Sequence, residues 1–194
     1  MIDQPEFLLI AGPNGAGKTT FVNTFLPEVT SVREFVNADL IAKGISPFNA
    51  SSVEVQAGRM VVNRVSKFIA DRIPFALETT LSGSSYSHQV IEAKRLGFIV
   101  KLYYIYLNSP ELSLQRIADR VRKGGHDVPS EVVLRRYERS LRNCFRHCIE
   151  AVDSWQVIDN STSEFRPIAS GDRSHRIFQD KALYNTLNEK YGAH

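Results

Sequence analysis

Short apolar runs alternate along the chain with longer segments in which apolar residues recur at helical spacing. The runs are rich in Val, Ile, Leu, Phe and Tyr and show little polar alternation, which is typical of strands buried on both faces of a sheet. This alternation predicts an α/β fold with a mostly parallel sheet of about five strands and helices on both faces. The predicted strands are Phe7–Ala11, Phe35–Asn37, Phe75–Leu77, Ile99–Leu107 and Trp155–Ile158.

The segments between these strands have the spacing of amphipathic helices. The predicted helices are Lys18–Phe25, Ser52–Arg72, Tyr86–Leu96, Pro110–Val121 and Pro129–Ala151. A weaker β-hairpin is predicted over 165–178 with its turn at 170–172, followed by a last helix, Asp180–Tyr191. No repeat or linker interrupts the 194 residues, so we predict one domain over 1–194, with the hairpin and last helix at about 165–191.

The first strand runs directly into a Walker A pattern, G-x-x-x-x-G-K-T, from Gly12 to Thr19. Its glycines allow the backbone N–H groups to converge on phosphate oxygens, and the following helix turns its positive end toward them. Lys18 would add a charge on the terminal phosphates, and Thr19 a hydroxyl ligand for Mg²⁺. We therefore predict an ATP site with Mg²⁺ that comprises Gly12, Pro13, Asn14, Gly15, Ala16, Gly17, Lys18, Thr19 and Thr20.

Polar residues follow the other predicted strands, where ligands bind in open α/β sheets. They are Asp39, Glu78, Thr79, Thr80, Asn108, Asp159, Asn160 and Ser161. Asp39 can accept the proton of an attacking hydroxyl or help to hold Mg²⁺, and its alternative role is a helix N-cap. No strand ends in a motor-type Walker B motif, so Glu78 and Asp39 are the best metal or substrate partners. Thr80 is predicted to contact the substrate, with helix capping as its alternative.

A basic segment lies in the second half of the chain. Residues 112–146 contain nine Lys or Arg and four Asp or Glu, although the whole chain has a net charge of only +3. The pair Gly124–Gly125 between two helices predicts a hinge, and the segment at about 120–136 a lid that places arginines on the transferred phosphate. Arg122 and Arg135 are the predicted catalytic arginines. Arg120 and Arg136 are the next candidates for this role, and Arg120 is also predicted to bind the nucleotide. His126 is predicted to contact the substrate. Solvated helix faces are predicted for Arg116, Arg139, Arg142 and Arg146.

The hydropathy of the chain and its cysteines indicate the cellular compartment. No segment approaches 18 uncharged apolar residues, which excludes a membrane span, and the early phosphate loop leaves no room for a cleaved signal peptide. We therefore expect a cytoplasmic protein. Cys144 and Cys148 lie four residues apart and favour a reduced thiol pair; with His147 they would rarely complete a metal site.

Several stretches together resemble the zeta-toxin-like P-loop kinases, and most closely the small stand-alone branch often called predicted ATPases. The resemblance extends roughly from Phe7 to Ser161. The stretches are residues 12–19 (GPNGAGKT), 37–42 (NADLIA), 45–47 (ISP), 78–83 (ETTLSG), 122–129 (RKGGHDVP), 135–137 (RRY) and 159–161 (DNS).

The resemblance implies a nucleotide-kinase-like fold and ATP-dependent phosphorylation of a small-molecule hydroxyl. It implies that Asp39 activates the acceptor, that Glu78 and Thr80 line the acceptor site, and that Arg122 and Arg135 act on the transferred phosphate. Zeta toxins proper phosphorylate UDP-N-acetylglucosamine and are held inactive by an antitoxin. This chain is shorter than many of those toxins.

Two other functions stay open from the sequence. The basic helices also fit a kinase of nucleic-acid 5′-hydroxyls, although no interleaving of aromatic and basic residues supports single-strand binding. A phosphate loop alone also fits a regulatory ATPase that acts on a partner protein.

Overall fold

In the computed structural model, which describes residues 4–125, 127–162 and 164–192, one sheet joins seven strands. Their spatial order is β2-β3-β1-β4-β5-β6-β7; the first five are parallel, and β6 and β7 are antiparallel to their neighbours. The strands are β1 (Glu6–Ala11), β2 (Glu34–Val36), β3 (Phe75–Thr79), β4 (Ile99–Tyr106), β5 (Ser154–Asp159), β6 (Arg166–Asp172) and β7 (Arg176–Phe178). This mixed sheet with its helices confirms the predicted α/β class.

The helices occupy the connections as the periodicity predicts, with one addition. They are α1 (Lys18–Val29), α2 (Ala38–Ile45), α3 (Glu54–Ala70), α4 (Ser85–Arg95), α5 (Pro110–Arg122), α6 (Ser130–Asn143), α7 (Ile149–Ala151) and α8 (Lys181–Gly192). A 3₁₀ turn, Ala50–Val53, precedes α3, and a π-helical turn, Cys144–Cys148, joins α6 to α7. The sequence did not predict α2.

The core centres on the interior strands, whose side chains are buried on both faces of the sheet. Phe7 to Ala11 are at most 1% exposed, and the rings of Phe7 and Phe75 stack at 4.4 Å. Because β1 pairs in parallel with both β3 and β4, Ala11 lies beside Thr79 and Tyr104. The carboxyl ends of three strands thus meet where the phosphate loop begins.

The C-terminal hairpin forms, but it differs from the prediction in two ways. Its strands extend the main sheet, which therefore has seven strands, and its turn lies at 172–175 instead of 170–172. Asp172 explains the position: its Oδ1 accepts hydrogen bonds from the backbone N of Ser174 (2.7 Å) and His175 (2.8 Å). Gly171 lies instead within β6, where a Cβ would come 2.8 Å from Trp155 Cζ2.

The two cysteines are free and buried, as predicted for a reduced pair. Burial raises the pKa of the Cys144 thiol well above its usual range and that of Cys148 to about 12. His147, between them, is exposed. Among the described residues no cluster of three His, Cys, Asp or Glu side chains could hold a metal, and none of the described helices is long and apolar enough to cross a membrane.

Candidate active site

The phosphate loop packs so tightly against its neighbours that two positions require glycine. Gly12 has φ +144°, and a Cβ there would lie 2.2 Å from the carbonyl oxygen of Ile105 in β4. Gly17 has φ +85°, and its Cβ would lie 2.6 Å from Asn160 Nδ2. Residues other than glycine rarely adopt such φ values, so both the conformation and the space exclude a side chain.

Side chains from outside the loop fix its backbone. Asn160 donates from Nδ2 to the carbonyl oxygen of Ala16 at 2.8 Å, and the Ser113 hydroxyl donates to that of Asn14. The sequence indicates Asn160 only as a polar residue after β5 and predicts no role for it. Nothing in the sequence marked Ser113, because a serine inside a helix has no distinguishing pattern.

Lys18 is held inside the loop. It is 7% exposed, and its Nζ donates to the carbonyl oxygen of Pro13 at 2.9 Å. Burial lowers the pKa of Lys18, the carboxylates of Glu78 and then Asp39 oppose that change, and Arg120 and Arg136 reinforce it. Two carboxylates and two guanidinium groups therefore lie close enough to affect this ammonium group.

Glu78, the fourth residue of β3, joins two other parts of the site. Its Oε2 accepts hydrogen bonds from Thr19 Oγ1 at 2.9 Å and from Asn37 Nδ2 at 2.7 Å. Asn37 is the N-cap of α2, since its side chain accepts from the N of Leu40. Asp39 therefore lies in the first turn of α2, and its alternative role as a helix N-cap is wrong.

These residues line a cavity of about 530 Å³ that continues past the phosphate loop to α3 and α4. Its walls combine polar residues at the ends of strands with small residues of α3. From the predicted site it includes Asn14, Gly15, Gly17, Lys18, Thr19, Thr20, Asp39, Glu78, Thr80 and Arg120. Its further wall contains Ala57, Gly58, Val61, Val62, Ser85, Tyr86 and Gln89.

Comparison with known sequences identifies the family of this chain. The family model described as Zeta toxin matches residues 2–166. The chain belongs to the zeta toxin family. A curated relative, an uncharacterized protein of Haemophilus influenzae, is 35% identical over 134 residues, which are 69% of this chain and 94% of the relative.

Solved structures show the zeta toxin fold at low sequence identity. The AvrRxo1-ORF1:-ORF2 complex with ATP superposes with a TM-score of 0.74 at 15% identity, over 95% of this chain and 63% of that one. The PezAT toxin-antitoxin system of Streptococcus pneumoniae superposes with a TM-score of 0.67 at 17% identity, over 98% and 79%. The chain thus spans less than two thirds of the AvrRxo1 chain. These matches and the family assignment confirm the predicted family and fold.

The arginines of this zeta toxin family member are arranged differently from the prediction. Arg116, Arg120 and Arg136 line the cavity. The expectation that Arg116 lies on a solvated face is wrong, because it lies four residues before Arg120 and shares its side of α5. Arg116 also donates to the carbonyl oxygen of Thr162 at 3.1 Å.

The two predicted catalytic arginines do not line the cavity. Arg122 lies two residues beyond Arg120, which on a helix of about 3.6 residues per turn is the opposite side. Its side chain is 78% exposed and paired with Asp119. Arg135 is also exposed. His126 lies outside the described residues.

Oxygen atoms suited to Mg²⁺ line the same cavity as the phosphate loop. The hydroxyl of Thr19, the carboxylate of Glu78 that accepts its hydrogen bond, and the carboxylate of Asp39 all line the cavity. Mg²⁺ prefers such oxygen ligands, usually one or two carboxylates together with substrate phosphates. The donor set of the described residues therefore fits this ion.

Two polar side chains of the cavity have unused hydrogen-bonding capacity. Gln89 is only 8% exposed and makes no hydrogen bond to any described residue. Asn14 Oδ1 is buried and has no hydrogen-bond partner within the described chain. Both residues line the cavity, so their side chains are candidate contacts for a ligand.

Proposed function

We propose that the protein is an ATP-dependent phosphotransferase that transfers the terminal phosphate of ATP to a hydroxyl group of a small molecule. The observation behind this proposal is that Asp39 shares one cavity with Lys18, and that the cavity continues past both toward α3 and α4. A site for hydrolysis alone needs no such space, whereas a transferase needs room for an acceptor beside its base. The ATP-bound AvrRxo1 complex, which has the same fold, supports ATP as the donor.

In this proposal the phosphate loop binds the triphosphate through its backbone N–H groups and through Lys18. Asp39 accepts the proton of the acceptor hydroxyl as the oxygen attacks the terminal phosphorus. Thr19, Glu78 and Asp39 would hold Mg²⁺, which when bound neutralises charge on the phosphates. Glu78 also keeps the Thr19 hydroxyl oriented.

Arginines complete the site by stabilising charge on the transferred phosphate. We assign this role first to Arg120 and Arg136, because they line the cavity and act electrostatically on Lys18. The family resemblance assigns it instead to Arg122 and Arg135, which would require the lid segment 120–136 to rearrange. Substitution of each pair distinguishes these assignments.

The acceptor is proposed from the far wall of the cavity. Among the described lining residues, α3 and α4 contribute no Lys or Arg; their polar groups are the carboxylate of Glu54, the hydroxyl of Ser85 and the amide of Gln89. Hydroxyl and amide groups suit an uncharged, hydroxyl-rich ring such as a sugar. Nucleotide sugars, with UDP-N-acetylglucosamine first, are therefore the acceptors to try. A far wall without cations disfavours a nucleic-acid 5′ end at this position.

We propose a protein antitoxin as the partner. The support is membership of the zeta toxin family and the fold shared with the PezAT toxin-antitoxin system. Co-expression with the product of a neighbouring gene, followed by purification through a tag on this chain, tests the partner. Recovery of this chain alone, with undiminished toxicity in cells, would contradict it.

The decisive experiment follows the phosphate. ATP, Mg²⁺ and a pool of nucleotide sugars, free sugars and nucleosides are incubated with the protein, and products are identified by mass spectrometry and ³¹P NMR. Asp39→Asn should bind ATP within a few-fold of wild type and lose transfer by about 10²–10⁴-fold, the usual value of a positioned base. Asp71→Asn, an exposed carboxylate at the end of α3, is the matched control. ATP hydrolysis that is rapid without any acceptor and unaffected by the pool would instead indicate a regulatory ATPase.

A further inference from the structure

The buried amide of Asn37 contacts two elements of the site at once. Asn37 is 6% exposed and directly follows β2. Its Oδ1 accepts a hydrogen bond from the N of Leu40 at 3.0 Å, and its Nδ2 donates to Glu78 Oε2 at 2.7 Å. The same Oε2 accepts from Thr19 Oγ1 at 2.9 Å. One side chain therefore links the start of α2, the end of β3 and, through Glu78, the first turn of α1.

Helix α2 depends strongly on this cap. It has eight residues, of which only Ala42 is buried. Helices of this length are marginal on their own, so the cap and the contacts with α3 must hold the helix in place. Asp39 lies in the first turn of α2, and its position at the cavity therefore follows the position of the cap.

We propose that Asn37 is a positioning residue for phosphoryl transfer: it fixes Asp39 at the cavity by capping α2, and it holds the Glu78 carboxylate beside Thr19. The proposal rests on the proposed function, in which Asp39 accepts the proton from the acceptor. Asn37 also lines the cavity, but its Oδ1 and Nδ2 are engaged by Leu40 and Glu78, so in this assignment it binds neither ATP nor acceptor. Its two contacts set the distance between the base and the phosphate-binding loop.

Asparagine suits this position because one amide supplies both an acceptor and a donor. Aspartate would cap the helix equally well, but it would place a second carboxylate against Glu78. Serine would keep the capping oxygen and lose the amide donor. Leucine, of similar size, would lose both contacts. Each substitution therefore removes a defined part of the linkage.

The position of Asn37 also affects the surroundings of Lys18. Glu78 and Asp39 are the two carboxylates that oppose the lowering of the Lys18 pKa by burial. Both carboxylates are placed by Asn37, one directly and one through α2. Their arrangement around the ammonium group of Lys18 therefore depends on a residue that does not contact it.

The first experiment compares Asn37→Ser and Asn37→Leu in ATP turnover with the acceptor found in the screen. A positioning role predicts a graded fall in kcat, about 10-fold for Asn37→Ser and about 100-fold for Asn37→Leu, because small displacements of reacting groups are costly. The KM for ATP should stay within about threefold of wild type, since the backbone of the phosphate loop is unchanged. Asn49→Ser changes an exposed cap residue before the 3₁₀ turn and should leave both constants unchanged. Wild-type kcat in Asn37→Leu, or a loss confined to KM, would overturn the proposal.

The second experiment exchanges the amide of Asn37 and the carboxylate of Glu78 between the two positions, and it needs no phosphate acceptor. Asn37→Asp alone places two carboxylates together and should lower Tm and speed hydrogen exchange of the amides at 38–45. Glu78→Gln in the same chain restores an amide-to-carboxylate hydrogen bond in the opposite direction at unchanged net charge. The double variant should therefore regain most of the Tm that Asn37→Asp loses. Strictly additive decreases in Tm would show that the two side chains are not coupled and would overturn the proposal. If the folded wild type transfers no phosphate, the proposed function fails, while this exchange still tests the positioning.

Discussion

At the scale of single residues, the glycines of the phosphate loop have the strictest requirement. Gly17 has φ +85°, and a Cβ there would meet Asn160 Nδ2 at 2.6 Å. The same nitrogen holds the carbonyl oxygen of Ala16 at 2.8 Å, so the added methyl group would push away the side chain that fixes the loop. Strain and a lost hydrogen bond should therefore act together.

We expect Gly17→Ala to lower the stability of the protein by about 1–3 kcal/mol and to weaken ATP binding at least 10-fold. Gly83→Ala is the matched control, because no atom of the described residues lies within 4 Å of a Cβ at that position and its φ is ordinary. Chemical denaturation and titration with a fluorescent ATP analogue measure the two quantities. Equal behaviour of the two variants would show that the loop tolerates a side chain.

Lys18 is the residue at which function and stability conflict. Burial lowers its pKa, so between the folded pKa and the ordinary value of 10.5 the unfolded state binds more protons than the folded state. Stability contributed by this group therefore rises as pH increases through that window, and at neutral pH the buried charge is unfavourable. In the proposed function this penalty is retained because the charge of Lys18 binds the phosphates of ATP.

We expect Lys18→Met to abolish ATP binding and to raise the Tm of the nucleotide-free protein at pH 7. The Tm difference between this variant and wild type should shrink as pH increases toward 10.5, because wild-type Lys18 loses its proton in that direction. Thermal unfolding from pH 7 to 10 measures this difference. A difference that is constant with pH would show that the charge of Lys18 does not oppose folding.

At the scale of elements, the sequence predicted strands and long helices well because their periodicity reports burial directly. It missed α2 because this helix makes only about two turns and is mostly exposed, although five of its eight residues are apolar, and the deciding feature is the cap at Asn37. Arg122 and Arg135 were the predicted catalytic arginines because they flank the glycine hinge in the sequence. Only the rotational position of each residue on its helix shows that Arg116, Arg120 and Arg136 line the cavity.

The arginines of α5 and α6 that line the cavity are expected to contribute more to kcat than the exposed ones. Arg120→Ala and Arg136→Ala should each lower kcat by about 10³-fold, the lower end of the range for arginines that stabilise a transferred phosphate. Arg122→Ala removes a surface pair with Asp119 and should change kcat less than threefold if the cavity as observed is the active arrangement. Steady-state kinetics of the four single variants, Arg135→Ala included, tests this. The reverse order of effects would show that the lid rearranges and brings the outer pair to the phosphate.

At the scale of the whole molecule, the C-terminal hairpin and α8 complete the core beyond the family match at 2–166. Tyr184 of α8 stacks on Trp155 of β5 with ring centroids 5.8 Å apart, and Leu187 is 4% exposed in the same core. β5 in turn is followed by Asn160, which holds the phosphate loop. Packing far from the cavity therefore supports the strand whose end positions the loop.

Leu187→Ala should destabilise the protein by about 2–5 kcal/mol, the usual cost of truncating a buried leucine. Leu134→Ala makes the same change in α6 at a residue that is 41% exposed, and it should cost much less. At saturating ATP both variants should gain stability, because a ligand that binds only the folded state stabilises it by about 2.7 kcal/mol at 100 times its Kd. Denaturation with and without ATP therefore separates a weakened core from a damaged site. A Leu187→Ala variant that unfolds at lower denaturant but shows an unchanged ATP-dependent gain would place α8 outside the site and inside the scaffold that holds it.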